Sequence, residues 1–264
     1  MNFNSDEYNG LVSNWYDCFE LGQPGDIKFY REAAQVCGGD VLELGSGTGR
    51  VLIPTAQAGV TIVGLDRSND MISVAQDHVS SIEIEAQQRI TLLNADMRTF
   101  SLGRIFQLIT IPNRSFLHLL TPEDQKATLG CVRDHLSDDG TVIFNIPDPH
   151  LASIVEDIGF TETPIRRHSE FISPHTGNNV IVWVARQYDL NNQTVRQDYI
   201  FDEISASGSM LGRSYSSLNL RLSYRYEMQN LLELCGFNIE SLFGNFQKGP
   251  FHNGGEQIWV ATKI

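Results

Sequence analysis

The sequence predicts an α/β protein: a mostly parallel, doubly wound sheet of seven strands with helices on both faces, and an antiparallel β insertion before the last helix. Three observations carry this prediction. Short apolar segments alternate with helical segments between residues 40 and 146, a glycine-rich turn follows the first of them, and strands of an alternating pattern follow from about residue 180.

The first five predicted strands are short, apolar and bounded by turn residues, which is typical of strands buried on both faces. They are Asp40–Leu44, Val60–Leu65, Ile90–Leu93, Phe106–Ile111 and Thr141–Ile146. Helices are predicted between them. They are Thr48–Gln57, Ser68–Val79 with Ser68 or Asn69 as its N-cap, and Pro122–Leu136 after Thr121.

Residues 1–38 are predicted to form a helical amino-terminal lid. Its apolar residues fall at helical spacing, and a second helix runs from Asp26 to about Val36. The apolar residues are Tyr8, Leu11, Val12, Trp15, Tyr16 and Phe19. Residues 39–159 and 225–264 are predicted to form the core of the protein.

The insertion is predicted to span residues 160–224 and to cover the acceptor or form a dimer face. Its strands are Val180–Tyr188, Thr194–Asp202 and Leu218–Ser223, with a hairpin turn at 189–193. A helix at Tyr226–Cys235, closed by Gly236, and the strands Asn238–Phe243 and Gln257–Thr262 then complete the core.

Composition narrows the classes of function. The 264 residues carry a formal charge of −13, from 32 acidic and 19 basic residues, and such a field repels phosphate backbones, so a nucleic-acid partner is not expected. Four scattered cysteines without a C-x-x-C pair or clustered histidines predict reduced thiols and no metal site. No apolar run approaches a membrane span, and the amino terminus is polar and acidic. We therefore expect a cytoplasmic protein with no membrane partner.

The turn after the first strand predicts a nucleotide-type cofactor site. Residues 41–50 read VLELGSGTGR, with glycines at 45, 47 and 49, and glycine lets a ligand approach the backbone closely. A dinucleotide turn requires a third glycine where Arg50 stands, and no G-K-[ST] phosphate loop is present. Glu43 opposes a pyrophosphate but suits a cationic ligand such as S-adenosylmethionine, which carries an ammonium and a sulfonium.

Polar residues also follow the next three strands. Asp66 can accept hydrogen bonds from ribose hydroxyls, Asp96 can accept from an adenine amino group, and Asn113 and Arg114 follow the fourth strand. Because ligands of doubly wound sheets bind at the carboxyl ends of the strands, these residues are expected to share one crevice.

Together these segments resemble the class I S-adenosylmethionine-dependent methyltransferases, which have a Rossmann-like fold. The resemblance rests on VLELGSGTGR, VGLDRSNDMISVA, NADMRTF, LITIPNRSFLHLLTPEDQ and LSDDGTVIFNIPDP. The carboxyl-terminal segment from Arg225 is similar to that of bacterial enzymes that methylate sugars and natural products. The resemblance implies these cofactor-binding residues: Glu43, Gly45, Ser46, Gly47, Gly49, Asp66, Arg67, Met71, Asp96, Met97, Asn113 and Arg114.

The resemblance also implies two candidate catalytic residues. Tyr16 matches an aromatic lid residue near the methyl group, and His118 matches a histidine near the acceptor; either is also explained as a packing residue. His252 is a second candidate base. The arginine that relatives carry in the lead-in to bind the cofactor carboxylate is missing here, since Gln23-Pro24-Gly25 occupies that place and the nearest arginine is Arg31.

The function implied is in-line displacement of a methyl group from S-adenosylmethionine onto a nitrogen, or an oxygen, of a natural-product or sugar-like metabolite, leaving S-adenosylhomocysteine. The nitrogen preference comes from the resemblance alone, and a homodimer is possible. The alternatives are a protein or RNA methyltransferase, disfavoured by the acidic composition, and a non-catalytic protein that binds S-adenosylmethionine. A nicotinamide oxidoreductase is disfavoured by Arg50.

Overall fold

The computed structural model describes Tyr8, residues 10–159 and residues 163–264. Residues 1–7 and Asn9 of the predicted lid and residues 160–162 of the predicted insertion lie outside the described residues. Within the described chain no helix is both long and apolar enough to cross a membrane.

A mixed seven-stranded sheet and its helices form one compact unit, Gly22–Pro149 with Ser223–Ile264. Its strands are β1 (Val41–Leu44), β2 (Ile62–Asp66), β3 (Ile90–Asn94), β4 (Phe106–Ile111), β5 (Leu136–Pro147), β10 (Phe237–Phe243) and β11 (Glu256–Lys263). Its helices are α2 (Asp26–Val36), α3 (Leu52–Gln57), α4 (Asn69–Ser80), α5 (Ile84–Gln87), α6 (Pro122–His135) and α8 (Arg225–Leu234).

The strand order of this sheet is β10-β11-β5-β4-β1-β2-β3. Strands β1 to β5 are parallel, while β11 is antiparallel to both of its neighbours, β5 and β10. The order reverses between β1 and β4, and doubly wound sheets bind their ligands at such a reversal. The predicted fold class, a mostly parallel sheet of seven strands with an antiparallel insertion, is confirmed.

The core of this unit forms where α2 and α3 cover the sheet. Phe29, Tyr30 and Ala34 of α2 pack with Leu52 and Ala56 of α3 against apolar residues of the strands. All four residues of β1 are buried, which explains why this strand is apolar on both faces apart from Glu43.

The second compact unit comprises the described residues of Met1–Leu21 and of His150–Leu222. Its four-stranded antiparallel sheet has the order β6-β7-β8-β9. The elements are α1 (Leu11–Phe19), α7 (Leu151–Ile158), β6 (Ile165–Ile172), β7 (Asn179–Asp189), β8 (Thr194–Ile204) and β9 (Met210–Arg221). Val12, Trp15 and Phe19 of α1 pack on β7 and β8, so the apolar spacing of the lead-in reflects burial against this sheet.

This division of the chain differs from the boundaries drawn from the sequence. The predicted lid, 1–38, is split: α1 clusters with the antiparallel sheet, whereas α2 clusters with the parallel sheet. Helix α7, within the predicted core, also clusters with the antiparallel sheet. Both helices carry an apolar face, and periodicity alone does not reveal which sheet such a face covers.

Several predicted element bounds are wrong for identifiable reasons. The helix expected from Thr48 begins only at Leu52, because Gly49 has φ 87° and left-handed backbone does not continue into a helix. A single 3₁₀ turn, Ser115–His118, follows β4 and has no counterpart among the predicted elements. Strand β9 begins at Met210 and not at Leu218. Strand β6 and helices α5 and α7 were not predicted.

The helix caps and the hairpin turn lie where the sequence predicted them. Ser68 is the N-cap of α4, with its hydroxyl accepting from the Met71 N–H at 3.2 Å. Thr121 caps α6, where its hydroxyl accepts from the Asp124 N–H at 3.1 Å. The hairpin between β7 and β8 turns at the predicted residues, and its Asp189 carboxylate accepts the N–H of Asn191 and of Asn192.

Candidate active site

The glycine turn after β1 has a backbone that other residues adopt only with strain. Gly45, Gly47 and Gly49 have φ values of 69°, 52° and 87°, all in the left-handed region that favours glycine. The N–H groups of Gly45 and Ser46 both donate to the Leu65 carbonyl, at 2.7 and 3.0 Å, and so fix the turn to β2. A Cβ at Gly45 would lie 2.7 Å from the Ser115 side chain. The turn is therefore a cradle that a side chain would fill.

Glu43 places a carboxyl group in the interior beside this turn. The residue is 2% exposed, and its Oε2 atom has no hydrogen-bond partner among the described residues. Burial raises the pKa of Glu43 to about 8, although the nearby Arg50 charge and the Leu52 N–H act in the opposite direction. Buried polar atoms are nearly always paired, so this oxygen fits a ligand that brings a cationic N–H donor.

Asp66 ends β2 and closes the turn from the other side. Its Oδ2 accepts from the Gly47 N–H at 2.8 Å and its Oδ1 from the Ser68 N–H at 2.8 Å. Burial raises the pKa of Asp66, while these two N–H groups and the charges of His118 and Arg67 lower it. A carboxylate oxygen has two lone pairs, so each still has room for one donor such as a ribose hydroxyl.

Asp96, the carboxylate that follows β3, contacts a partner that the sequence did not predict. Asp96 accepts from Arg98 through the backbone N–H at 2.9 Å and through the guanidinium at 2.6–3.1 Å. Arg98 also contacts Asp124 at 3.1 Å and, by its hydrogen bonds above all, lowers the pKa of Asp96. Any adenine amino group would share oxygens that Arg98 already engages. The neighbouring Met97 lies closer to the cradle, its Cε 3.6 Å from a Cβ placed on Gly45.

After β4, two successive residues hold a strained backbone. Asn113 has φ 50° and Arg114 has φ 65°, which costs about 1–3 kcal/mol for a residue other than glycine and is concentrated at functional sites. The Arg114 guanidinium forms an ion pair with Glu256 on β11, and its Nε is buried without a partner among the described residues. The sequence predicted Asn113 and Arg114 at this crevice, but not their backbone conformation.

A buried chain of hydrogen bonds holds Glu256 in place. The Tyr30 hydroxyl donates to Asn145 Oδ1 at 2.8 Å, and Asn145 Nδ2 donates to Glu256 Oε2 at 2.9 Å. Tyr30 and Asn145 are each 1% exposed. Sequence reasoning missed all three residues; the one available signal was an asparagine and a glutamate within otherwise apolar strands.

Arg50 anchors the turn to α2. Its guanidinium forms a two-point ion pair with Asp26, at 3.1 and 2.6 Å, and both side chains are largely buried. Asp26 also accepts the N–H of Gln23 and of Ile27. Arg31, the arginine nearest to the lead-in, instead lines a surface groove with Pro54 and Gln57.

The remaining predicted residues are distributed as follows. His118 is half-buried at the end of the 3₁₀ turn, and its charge acts on Asp66. Met71 is buried on α4, Ser46 is buried in the turn, and Arg67 is exposed. Tyr16 lies on α1 in the other compact unit, its ring edge-on to Tyr8 and Phe19. Its role as a lid stays a prediction.

The site therefore combines a buried acid, a glycine cradle and an acidic strand end, all within Gly22–Pro149. In the described part of the chain, no three His, Cys, Asp or Glu side chains come together as metal ligands. A family model described as "Methyltransferase domain" matches residues 41–140, which include this whole arrangement. Residues 41–140 are a methyltransferase domain. The family recognised from the sequence motifs is confirmed.

Curated relatives of this domain include bacterial methyltransferases. The putative methyltransferase YqeM of Bacillus subtilis is 29% identical over 201 residues, 72% of this chain and 79% of that protein. A dTDP-3-amino-3,6-dideoxy-alpha-D-glucopyranose N,N-dimethyltransferase of Streptomyces fradiae is 30% identical over 146 residues, 52% of this chain. The match spans about half of the length of that enzyme, 53%.

Solved structures share the fold over nearly the whole chain. The CcbJ methyltransferase of Streptomyces caelestis superposes with a TM-score of 0.82 at 19% identity, covering 99% of this chain and 100% of CcbJ. DesVI of Streptomyces venezuelae superposes with a TM-score of 0.69 at 20% identity, covering 97% of this chain and 100% of DesVI. These likenesses extend the fold assignment of this chain beyond residues 41–140.

Burial of Glu43 predicts a pH-dependent gain in stability on replacing it with glutamine. The unfolded chain releases this proton above about pH 4.5, whereas the folded protein retains it up to about pH 8. The wild-type protein therefore loses stability across this window, and Glu43→Gln does not. We expect the melting temperature of ligand-free Glu43→Gln to rise relative to that of wild type between pH 5 and pH 8. Over this range the free energy of unfolding of the variant, relative to wild type, should increase by about 3–5 kcal/mol.

Thermal denaturation at several pH values measures this difference. Glu85→Gln, on the exposed face of α5, is the matched control because it makes the same substitution at the surface. An equal effect of Glu43→Gln at pH 5 and pH 8 would contradict the assignment of a raised pKa to Glu43.

Proposed function

We propose that this chain transfers a methyl group from S-adenosylmethionine to a nitrogen, or an oxygen, of a small-molecule acceptor. The observation that carries the cofactor assignment is the unpaired, buried Oε2 of Glu43 beside three left-handed glycines. A pyrophosphate would bring negative charge to this carboxyl group, whereas an α-ammonium group brings donors and the opposite charge. The residues present therefore fit S-adenosylmethionine and do not fit a dinucleotide.

Each part of the cofactor has residues that suit its chemistry. In the proposal, Glu43 and the turn 45–49 hold the amino-acid end, and Asp66 accepts from the ribose hydroxyls. Met97, Asp96, Arg67 and Met71 lie on the adenine side. When bound, the cofactor supplies a methyl group on a sulfonium, so the protein's task is to align and desolvate the reactants. Alignment contributes up to roughly 7–11 kcal/mol in favourable cases.

His118 is the proposed base for the acceptor. It follows β4 on the 3₁₀ turn and has Nδ1 buried, so we propose Nε2 as the nitrogen that takes the proton. At neutral pH an imidazole nitrogen can take the proton that an amine or hydroxyl loses on methylation. Tyr16 is the second proposed catalytic residue, as an aromatic lid.

A small acceptor fits the charge and the relatives better than a macromolecule does. The net charge of −13 opposes an approaching polyanion. The S. fradiae relative is, by its name, an N,N-dimethyltransferase of a nucleotide-linked amino sugar. A natural-product or sugar-like amine is therefore the proposed acceptor class.

Location and assembly complete the proposal. We propose a cytoplasmic protein, because all four cysteines are free thiols and half-buried.

A homodimer is supported by the edge strand β6, on which Ile165 and Ile172 are 59% and 63% exposed. Exposed strand edges with apolar side chains favour pairing with another chain, and sedimentation equilibrium would distinguish monomer from dimer.

Ligand titration tests the cofactor assignment. We expect S-adenosylmethionine and S-adenosylhomocysteine to bind and to raise the melting temperature, with NAD having no effect; saturation at 100 times Kd stabilises by about 2.7 kcal/mol. Asp66→Ala should weaken S-adenosylhomocysteine binding about 10-fold or more, because the ribose hydroxyls lose the carboxylate that accepts their hydrogen bonds. Asp77→Ala, an exposed carboxylate on α4, is the control. Stabilisation by NAD alone would overturn the cofactor assignment.

Methyl transfer itself is tested with labelled S-adenosylmethionine and a panel of amine and hydroxyl metabolites. With an acceptor found in this way, His118→Ala should lower kcat about 10²–10⁴-fold and change S-adenosylhomocysteine affinity less than about 2-fold. His150→Ala, at the start of α7, is the matched control. A normal kcat in His118→Ala would remove His118 as the base, and no labelled product from any metabolite would favour a non-catalytic binding protein.

A further inference from the structure

The proposed cofactor ends in an α-amino acid, which carries a carboxylate as well as an ammonium group. Glu43 suits the ammonium but repels the carboxylate, so the site requires a cation beside the turn. Two arginines, Arg50 and Arg114, lie next to it in sequence or in space. Their existing contacts distinguish them.

The Arg50 guanidinium is already paired with a carboxylate of the protein. Each terminal nitrogen donates to one carboxylate oxygen of Asp26, and Asp26 is 3% exposed. Such a two-point pair matches the fork of the guanidinium with a carboxylate of the protein itself. Moreover, a Cβ placed on Gly22 would clash with Arg50 Nη1, so the chain packs closely over this guanidinium.

The Arg114 guanidinium, unlike that of Arg50, still has an N–H donor to offer a ligand. One terminal nitrogen contacts Glu256, while Nε is buried and has no partner among the described residues. A buried unpaired N–H is costly, about 1–3 kcal/mol, and it lies beside a backbone that is itself strained at Asn113 and Arg114. Both features are explained if a ligand's anionic group completes the guanidinium's contacts.

The register of the sheet places these groups at adjacent strand ends. Glu43 on β1 is paired with Thr110 on the parallel strand β4, and neighbouring strands are about 4.8 Å apart. Arg114 follows β4, and Ser115 after it lies so near Gly45 that no Cβ fits between them. Glu43 and Arg114 thus lie at the ends of adjacent strands, on the side of the topological reversal.

We propose that Arg114 binds the α-carboxylate of S-adenosylmethionine, and that Glu256 is the positioning residue that holds its guanidinium. The inference rests on the proposed function and assigns the anionic half of that site. Glu43 and Arg114 then match the two charges of one α-amino acid. Glu256 acts through Arg114, and the hydrogen bonds from Asn145 and Tyr30 fix the orientation of its carboxylate.

Two ligands that differ by the carboxylate alone test this assignment by titration calorimetry. S-adenosylhomocysteine carries it, and decarboxylated S-adenosylhomocysteine keeps the ammonium and lacks it. Arg114→Gln should bind S-adenosylhomocysteine about 10- to 100-fold more weakly than wild type, the usual range for a lost charge-assisted hydrogen bond. Its affinity for the decarboxylated ligand should change less than about 3-fold, and Arg114→Lys should be intermediate.

Arg104→Gln is the matched control, because Arg104 also forms an ion pair with a carboxylate, that of Asp40, and is 40% exposed against 38% for Arg114. It should bind both ligands as wild type does. Glu256→Gln should lose S-adenosylhomocysteine affinity about 3- to 10-fold through a weaker hold on Arg114, with little change for the decarboxylated ligand. A merely structural role would weaken both ligands equally.

Equal affinity of Arg114→Gln and wild type for S-adenosylhomocysteine, or an equal loss for both ligands, overturns the assignment of Arg114. Melting temperatures verify that each variant is folded, and Arg114→Lys keeps the test decisive if a glutamine variant does not fold. Failure of the wild-type protein to bind either ligand would instead refute the proposed function, so the two failures are distinguishable.

Discussion

A carboxyl group buried on an interior strand, with one oxygen that has no hydrogen-bond partner in the described part of the chain, is the constraint on which the candidate site depends. Glu43 lies on β1 between two parallel neighbours, where apolar residues would stabilise the fold more. The left-handed glycines after it, the Arg50–Asp26 pair and the Asp66 carboxylate all stabilise the turn beside this acid. The fold thus tolerates a destabilising group at the one place where a ligand of opposite charge can offset it.

A second polar system extends from α2 across β5 and β11 to the end of β4. Tyr30, Asn145, Glu256 and Arg114 form one continuous chain of hydrogen bonds. Tyr30 is also close enough to Asp26, Glu256 and Glu43 for their charges to add to the effect of burial, which raises its pKa well above the ordinary value. The helix that covers the turn and the loop after β4 are therefore electrostatically linked through the interior of a single compact unit.

Local rules predicted most of the parallel sheet and the residues at its strand ends. Alternating glycines, a strand-terminal Asp66 and the capping residues Ser68 and Thr121 act within a few residues, and the sequence shows them directly. Contacts over long separations were not predictable: Glu256 meets Arg114 only because β11 inserts beside β5. Arg98 was missed because it engages Asp96 two residues away, a pattern that also occurs on solvated surfaces. The splitting of the lead-in depends on which sheet each amphipathic helix covers.

Proton release on ligand binding tests the role of Glu43 most directly. With a pKa of about 8, the carboxyl group is about nine-tenths protonated at pH 7 in the free protein. An ammonium group beside it favours the ionised form and expels the proton. Calorimetric titration with S-adenosylhomocysteine at pH 7, in two buffers of different ionisation enthalpy, should show about half to one proton released per site, and none for Glu43→Gln. Tight binding to wild type with no proton released would contradict the account.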